Sequence, residues 1–325
     1  MQHAAVPSQR SVIITLANQK GGVTKTTSTA NLAMMLTFAG LRVLVVDCDP
    51  QGHLTYTFGY TPDLLNGTLY DVLREATGAN KVIRPTFFDP ATGIFFDPAA
   101  PETPQEGIIA GPHLLPINIL ASNADTDLQS NPTWGTLLRR KLRPIRHLYD
   151  YILIDTNPGL GKLTINAFCA ADYVCIPLTP EVLPTQGLVS LAKSIEEART
   201  SEANPDLQVA GIIFTRVRQN YKAHTGIMDY VRQELAPQLN MTCFQTEIRE
   251  SAAFLNAAST RSVIVVAEPE SDHAIIYWHL LSELVECVGG AGLDAVRQTY
   301  STLVKRRQDR IRQREERAEV RRGHS

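Results

Sequence analysis

Two lysines five residues apart bracket a pair of glycines in "QKGGVTKTT", Gln19 to Thr27. Gly21 and Gly22 have no Cβ to keep the backbone from an anion. The N–H groups of Val23, Thr24 and Thr27, at the start of an expected helix, face the same point. Lys25 brings a point charge to terminal phosphates, and Thr26 a hydroxyl that suits Mg²⁺. The stretch fails the strict pattern G-x-x-x-x-G-K-[ST], because Gln19 and Thr24 stand where that pattern has glycine. Two further apolar runs end in carboxylates: "RVLVVDCDPQG" in Asp47 and Asp49, and "YDYILIDTNPGLG" in Asp155. Carboxylates on two strands beside a lysine-rich anion loop on a third suit metal-assisted phosphate chemistry. Asp155 is placed to hold Mg²⁺ through water.

Such residues need strands to aim them. Apolar runs of strand length are expected at Val12–Ala17, Arg42–Val46, Tyr151–Ile154, Tyr173–Pro177, Gln208–Thr215 and Val263–Val266. They are nearly continuous in Val and Ile, as in a parallel sheet covered on both faces. Helices are expected at Thr26–Ala39, Gln186–Thr200, Gly226–Leu235, Ser251–Ala258 and Asp272–Val288, with Gly40 ending the first. The alternation predicts a doubly wound α/β fold, its mostly parallel sheet flanked by helices on both faces. The ligand then sits at the carboxyl ends of the strands.

The chain has 325 residues, 44% of them hydrophobic, and a formal net charge of −2. The bulk charge implies no particular partner. No run of eighteen apolar residues suggests a membrane span, and "MQHAAVPSQR" lacks the apolar region of a secretory signal. The five cysteines form no C-x-x-C pair and read as buried reduced thiols of a cytosolic protein. One ATPase-type domain is expected over 1–290, interrupted by a proline-rich excursion at 84–112. There "DPATG" between two aromatic pairs predicts a β-hairpin. A basic, helical extension is expected over 291–325.

The segments "QKGGVTKTT", "VLVVDCDPQG", "YILIDTNPGLG" and "VCIPLTPE", in this order, resemble the deviant-Walker ATPases of the ParA/MinD class, and ParA/Soj partition proteins in particular. The resemblance implies a Mg²⁺-dependent ATP hydrolase of the P-loop fold, weak unless stimulated, that forms a nucleotide-sandwich homodimer when ATP-bound. Lys20 then reaches the partner copy's phosphates, beside Lys25. Asp47 positions the attacking water, and Thr26 and Asp155 serve Mg²⁺. Thr215 and Arg216, in "GIIFTRVRQ", lie on the adenine side. Thr24 stands where most members have glycine. If that position requires positive φ, the threonine costs about 1–3 kcal/mol of strain.

The resemblance also implies non-specific DNA binding, stimulation by a ParB-like centromere-binding protein, and a cytoplasmic, nucleoid-associated location. At the place of a DNA-contacting arginine of the family this chain has Ala253. The remaining basic candidates are Arg218, Lys222, Arg249 and Arg261, together with the tail residues Lys305, Arg306, Arg307, Arg310 and Arg314. No helix-turn-helix segment precedes the loop, so operator binding is not expected. Alternatives are a MinD-like positioning ATPase acting at a membrane or cellular machine, a metabolic reductase or synthetase, and an ATP-binding adaptor with little hydrolysis.

Overall fold

The computed structural model describes residues 11–100, 106–181, 184–200, 203–218 and 220–322, with side chains for all of these except 184–186 and 313–322. Among the described residues ten strands are formed: β1 Val12–Leu16, β2 Val43–Cys48, β3 Phe87–Phe88, β4 Phe95–Phe96, β5 Ile109–Ala110, β6 His113–Leu115, β7 Tyr151–Thr156, β8 Tyr173–Leu178, β9 Gln208–Val217 and β10 Cys243–Arg249. Seven make one parallel sheet in the order β10-β9-β8-β1-β7-β2-β6. The site is framed by helices α1 Lys25–Phe38, α2 His53–Thr57, α3 Lys162–Ala170, α4 Pro184–Thr200, α5 Lys222–Tyr230, α6 Ala252–Ser259, α7 Ile264–Ala267, α8 Asp272–Val288 and α9 Leu293–Arg322.

Both faces of the sheet are buried, which is why its strands read as unbroken apolar runs. Successive residues alternate between two cores. Ile13, Leu44 and Ile152 join α3 and α4 on one face. Ile14, Val45 and Leu153 join α1 and α8 on the other. β1 lies between β7 and β8, with Leu16 level with Asp155 and Cys175. This register brings the loop after β1 beside the end of β7.

Three expectations are corrected. Val263–Val266 is not a strand: Ile264–Ala267 forms the single-turn helix α7, with Ile264 and Val265 buried beside α1. Short apolar runs do not distinguish a buried strand from a buried helical turn. Strand β10, "CFQTEIR", was missed because it lies at the sheet edge and carries polar residues along its length. Cys287 is exposed rather than buried, whereas Cys48, Cys169 and Cys175 are buried and all five thiols are free.

The 84–112 excursion forms the expected hairpin. Phe87 pairs with Phe96 and Phe88 with Phe95, and β5 adds a third antiparallel strand. Asp89 closes the turn by accepting from the Ala91 N–H and the Thr92 hydroxyl, at 2.8 and 2.9 Å. Gly93 follows at φ +74°. Phe95 anchors the hairpin edge-on against Phe58 at 5.0 Å, so the excursion is part of the core.

The basic C-terminal segment is one helix, α9, after a left-handed Gly289 ends α8. Its first half is packed: Val296 is fully buried, and Leu293, Tyr300 and Leu303 join the α1/α8 core. Tyr300 contacts the His279 ring nitrogen at 2.7 Å. Arg307 and Arg310 pair with Asp272 and Glu270 at 2.6 and 3.3 Å. The side chains of Arg314, Arg317, Arg321 and Arg322 lie outside the described residues.

Candidate nucleotide-binding site

The loop between β1 and α1 is held by its own polar side chains. Asn18 donates to the Pro177 carbonyl at 2.6 Å and accepts from the Lys20 N–H at 2.9 Å. Gly21 and Gly22 are exposed, and Gly22 takes φ +74°. Val23 is buried, its carbonyl accepting from the Thr215 hydroxyl at 3.1 Å. Thr24 caps α1 at φ 66°, ψ 25°. The positive φ that the sequence left conditional is therefore present on a β-branched residue, where it is costly.

Lys25 is only 6% exposed, and its ammonium donates to the Lys20 carbonyl at 3.3 Å. Burial lowers its pKa, opposed by the charges of Asp155 and Asp49. The Thr26 hydroxyl donates to Asp155 Oδ2 at 2.6 Å. Asp155 Oδ1 is buried with no partner. Burial pushes the Asp155 carboxyl well above the usual carboxylate range, with Asp47 adding to the rise and Thr26 and Lys25 opposing it. An orphaned carboxylate oxygen beside a threonine hydroxyl is a donor set short of a cation. Among the described residues no cluster of three His, Cys, Asp or Glu forms a metal site, so a cation here needs ligands from elsewhere.

A cleft of about 770 Å³ opens over this point, lined by Gly22, Thr24, Lys25, Thr26, Thr27 and Asp49 at its phosphate end. Arg216, also lining the cleft and itself at φ 53°, donates to the Gly22 carbonyl at 3.3 Å and to Glu250 at 2.8 and 3.2 Å. Arg218 takes the other Glu250 oxygen at 2.6 Å. Lys20 forms an ion pair with Glu181 at the rim. Neither glutamate stood out in the sequence, since each meets its partner only through the fold.

Asp47 requires a correction. It does not face the cleft. It is fully buried, its Oδ2 accepting from the Thr55 N–H and hydroxyl at 2.8 and 2.7 Å and its Oδ1 from the Asp49 N–H at 3.1 Å. Strand alternation explains this, because Asp47 follows Val43 and Val45 onto the α1 face, where Thr55 of α2 meets it. Asp49, past the strand's end, lines the cleft instead.

Burial raises the Asp47 carboxyl to about 7, with Thr55 and the Asp49 N–H opposing and the Asp49 charge assisting. Between the usual carboxylate pKa and 7 the native chain holds a proton that the unfolded chain has released, so stability falls as pH rises through that window. Nucleotide-free protein is expected to be about 1 kcal/mol more stable at pH 6 than at pH 8 from Asp47 alone. Urea midpoints at the two pH values measure this, and a higher midpoint at pH 8 contradicts it.

Among the other basic candidates, Lys222 is exposed at the start of α5, and Arg249 lines the cleft. Arg261 is turned inward, donating to the Gly59 carbonyl at 3.1 Å and lying 4.5 Å from the Tyr56 ring. Lys305, Arg306 and Arg310 are exposed on α9.

Residues 11–209 match the family model described as an AAA domain. The sporulation initiation inhibitor protein Soj of Bacillus subtilis is 30% identical over 272 residues, 84% of this chain and 97% of that protein. The chromosome partitioning protein ParA of Myxococcus xanthus is 31% identical over 274 residues, 84% of this chain and 88% of that protein. The chain belongs to the Soj/ParA family. A solved structure titled cobyrinic acid a,c-diamide synthase, from Mycobacterium smegmatis with bound ADP and magnesium, shares the fold with a TM-score of 0.67 and 27% identity. The match covers 85% of this chain and 95% of that one. In this Soj/ParA chain Thr24, at the start of α1, is left-handed. Among the described residues no helix is long and apolar enough to cross a membrane.

Proposed function

We propose that this chain is an ATP-dependent partition ATPase that acts in plasmid or chromosome segregation. The observation that carries the reading is the meeting of Lys25, Thr26, Asp49 and Asp155 at one end of the cleft, with Lys20 at its rim. The loop N–H groups and Lys25 receive the ATP phosphates. Lys25 is preorganised by burial and by its two carboxylate neighbours, so it stabilises developing charge without reorganising. Thr26 and Asp155 hold Mg²⁺, which when bound neutralises phosphate charge and polarises the phosphoryl oxygens. Asp49, rather than Asp47, orients the attacking water. Lys20 leaves Glu181 and crosses to the phosphates of a second copy when the ATP-bound homodimer forms. Arg216 borders the base, whereas Thr215, fully buried with its hydroxyl on the Val23 carbonyl, does not line the cleft and braces the loop instead. The catalytic set is thus Lys20, Lys25 and Asp49.

The dimer binds DNA without sequence preference through Arg218, Lys222 and Arg249 and the exposed face of α9. A ParB-like centromere-binding protein stimulates hydrolysis and releases the chain from the nucleoid. Sedimentation with plain duplex DNA across a salt series, with and without ATP and Mg²⁺, tests this. Binding is expected only with nucleotide and to weaken steeply with salt. No ATP-dependent binding at low salt would sink the proposal.

The left-handed Thr24 favours a second reading, an adaptor that binds ATP and dimerises with little turnover. Absence of turnover with DNA and partner present would favour the adaptor, and Thr24→Gly tests the strain. Relief of strain, about 1 kcal/mol after the entropy of an added glycine, is expected to raise the denaturation midpoint and to leave turnover equal or faster. A large loss of turnover in this variant is incompatible with the strain account.

A further inference from the structure

A left-handed threonine persists only where its surroundings hold it. The backbone supplies one restraint, the Ser28 N–H donating to the Thr24 carbonyl at 2.8 Å. The side chains supply another. The Thr24 hydroxyl lies 3.5 Å from the Ser28 hydroxyl, longer than a well-formed O–H···O bond and so a weak contact, and Ser28 lies 3.1 Å from the Tyr277 hydroxyl. Ser28 and Tyr277 are fully buried, and Ser28 is one turn into α1 while Tyr277 is on α8. The Tyr277 ring also meets Phe254 of α6 edge-on at 5.8 Å, and Phe254 lines the cleft. Three hydroxyls thus run from the surface of the anion loop to a helix 249 residues away in sequence.

We infer that Tyr277 is a positioning residue for the phosphate loop: through Ser28 it holds Thr24 in the left-handed conformation that directs the loop N–H groups at the nucleotide. A buried tyrosine hydroxyl needs a partner. Here the partner is a serine whose remaining capacity reaches the strained residue. The inference rests on the nucleotide-binding reading of the cleft. It adds that a residue outside the cleft sets loop geometry in this chain.

The test is a double-mutant cycle between Thr24→Gly and Tyr277→Phe, which keeps the ring and its contact with Phe254. Affinity for a fluorescent ATP analogue is measured in all four proteins, with urea unfolding in parallel. With Thr24 present, Tyr277→Phe is expected to weaken nucleotide binding about fivefold, the equivalent of one net hydrogen bond, with KM rising more than kcat falls. In the Thr24→Gly background, where glycine takes positive φ unaided, the same change is expected to alter affinity less than about twofold. Ser28→Ala is expected to reproduce the pattern. An equal loss in both backgrounds, or none in either, overturns the inference. If the wild type binds no nucleotide, the proposed function fails instead. The cycle is then read in unfolding, where Tyr277→Phe must cost more with Thr24 in place than in the Thr24→Gly background, and additivity refutes it.

Discussion

Asp155→Asn is expected to abolish Mg²⁺-dependent hydrolysis, about 10³-fold or more, while leaving nucleotide-free protein at least as stable as the wild type above pH 7. The two halves have one cause. Asp155 is fully buried, has one satisfied oxygen and one orphan, and its carboxyl lies well above the usual range because burial disfavours the charge. A raised native pKa means the ionised form is a liability to the folded state, and the liability grows as pH rises from the usual carboxylate value. Asparagine removes it and still accepts from Thr26. Lys25 loses an attractive neighbour but keeps Asp49, which limits the gain. With the charge goes the oxygen set that suits Mg²⁺. Phosphate release and urea midpoints at pH 8 decide the matter. A variant several kcal/mol less stable than wild type shows that Asp155 is structural, and one that retains turnover shows that it is no metal residue.

The second large effect concerns α9. Ending the chain after Val304 is expected to lower ATP-dependent DNA affinity by about 10²-fold or more at moderate salt and to flatten the salt dependence, by roughly 0.9 in log–log slope for each phosphate no longer neutralised. The end point follows from the packing. Leu293, Val296, Tyr300 and Leu303 belong to the core and must stay. Lys305, Arg306 and Arg310 face solvent beyond them. Arg307 and Arg310 pair with Asp272 and Glu270 near the start of α8, each pair with one partner well exposed to solvent, so they contribute little stability. The shortened protein should therefore keep its thermal midpoint. An unchanged affinity and slope would mean that the ends of β9 and β10, with Arg218 and Arg249, carry DNA alone.

The sheet was readable because parallel strands buried on both faces leave an unbroken apolar signature, and the anion loop because its glycines and lysines have few other uses. What escaped lay where pattern and environment part. β10 is an edge strand with polar residues throughout, so no apolar run marks it. The turn at Ile264–Ala267 is apolar and β-branched, yet it packs as a helix. At the site, Lys25, Thr26 and Asp155 converge as their spacing suggests. Asp47 and Asp49 share one parity, and only the position of Asp47 within the strand, under Thr55 of α2, buries it. Glu181 and Glu250 were invisible because their meaning depends on cations 161 and 34 residues away.

The central place of β1 has a consequence for how the chain comes into being. Its five residues are translated well before their sheet neighbours, Tyr151–Asp155 and Tyr173–Cys175. At about 5–20 residues per second, the strand and the lysine loop behind it wait roughly 8–30 seconds for those partners. Closing such distant pairs makes folding slow in its own right. During that interval an apolar strand bearing "VIITL" is unpaired on both edges. The anion loop is translated before the strands that frame it, so its fixed geometry comes late in folding.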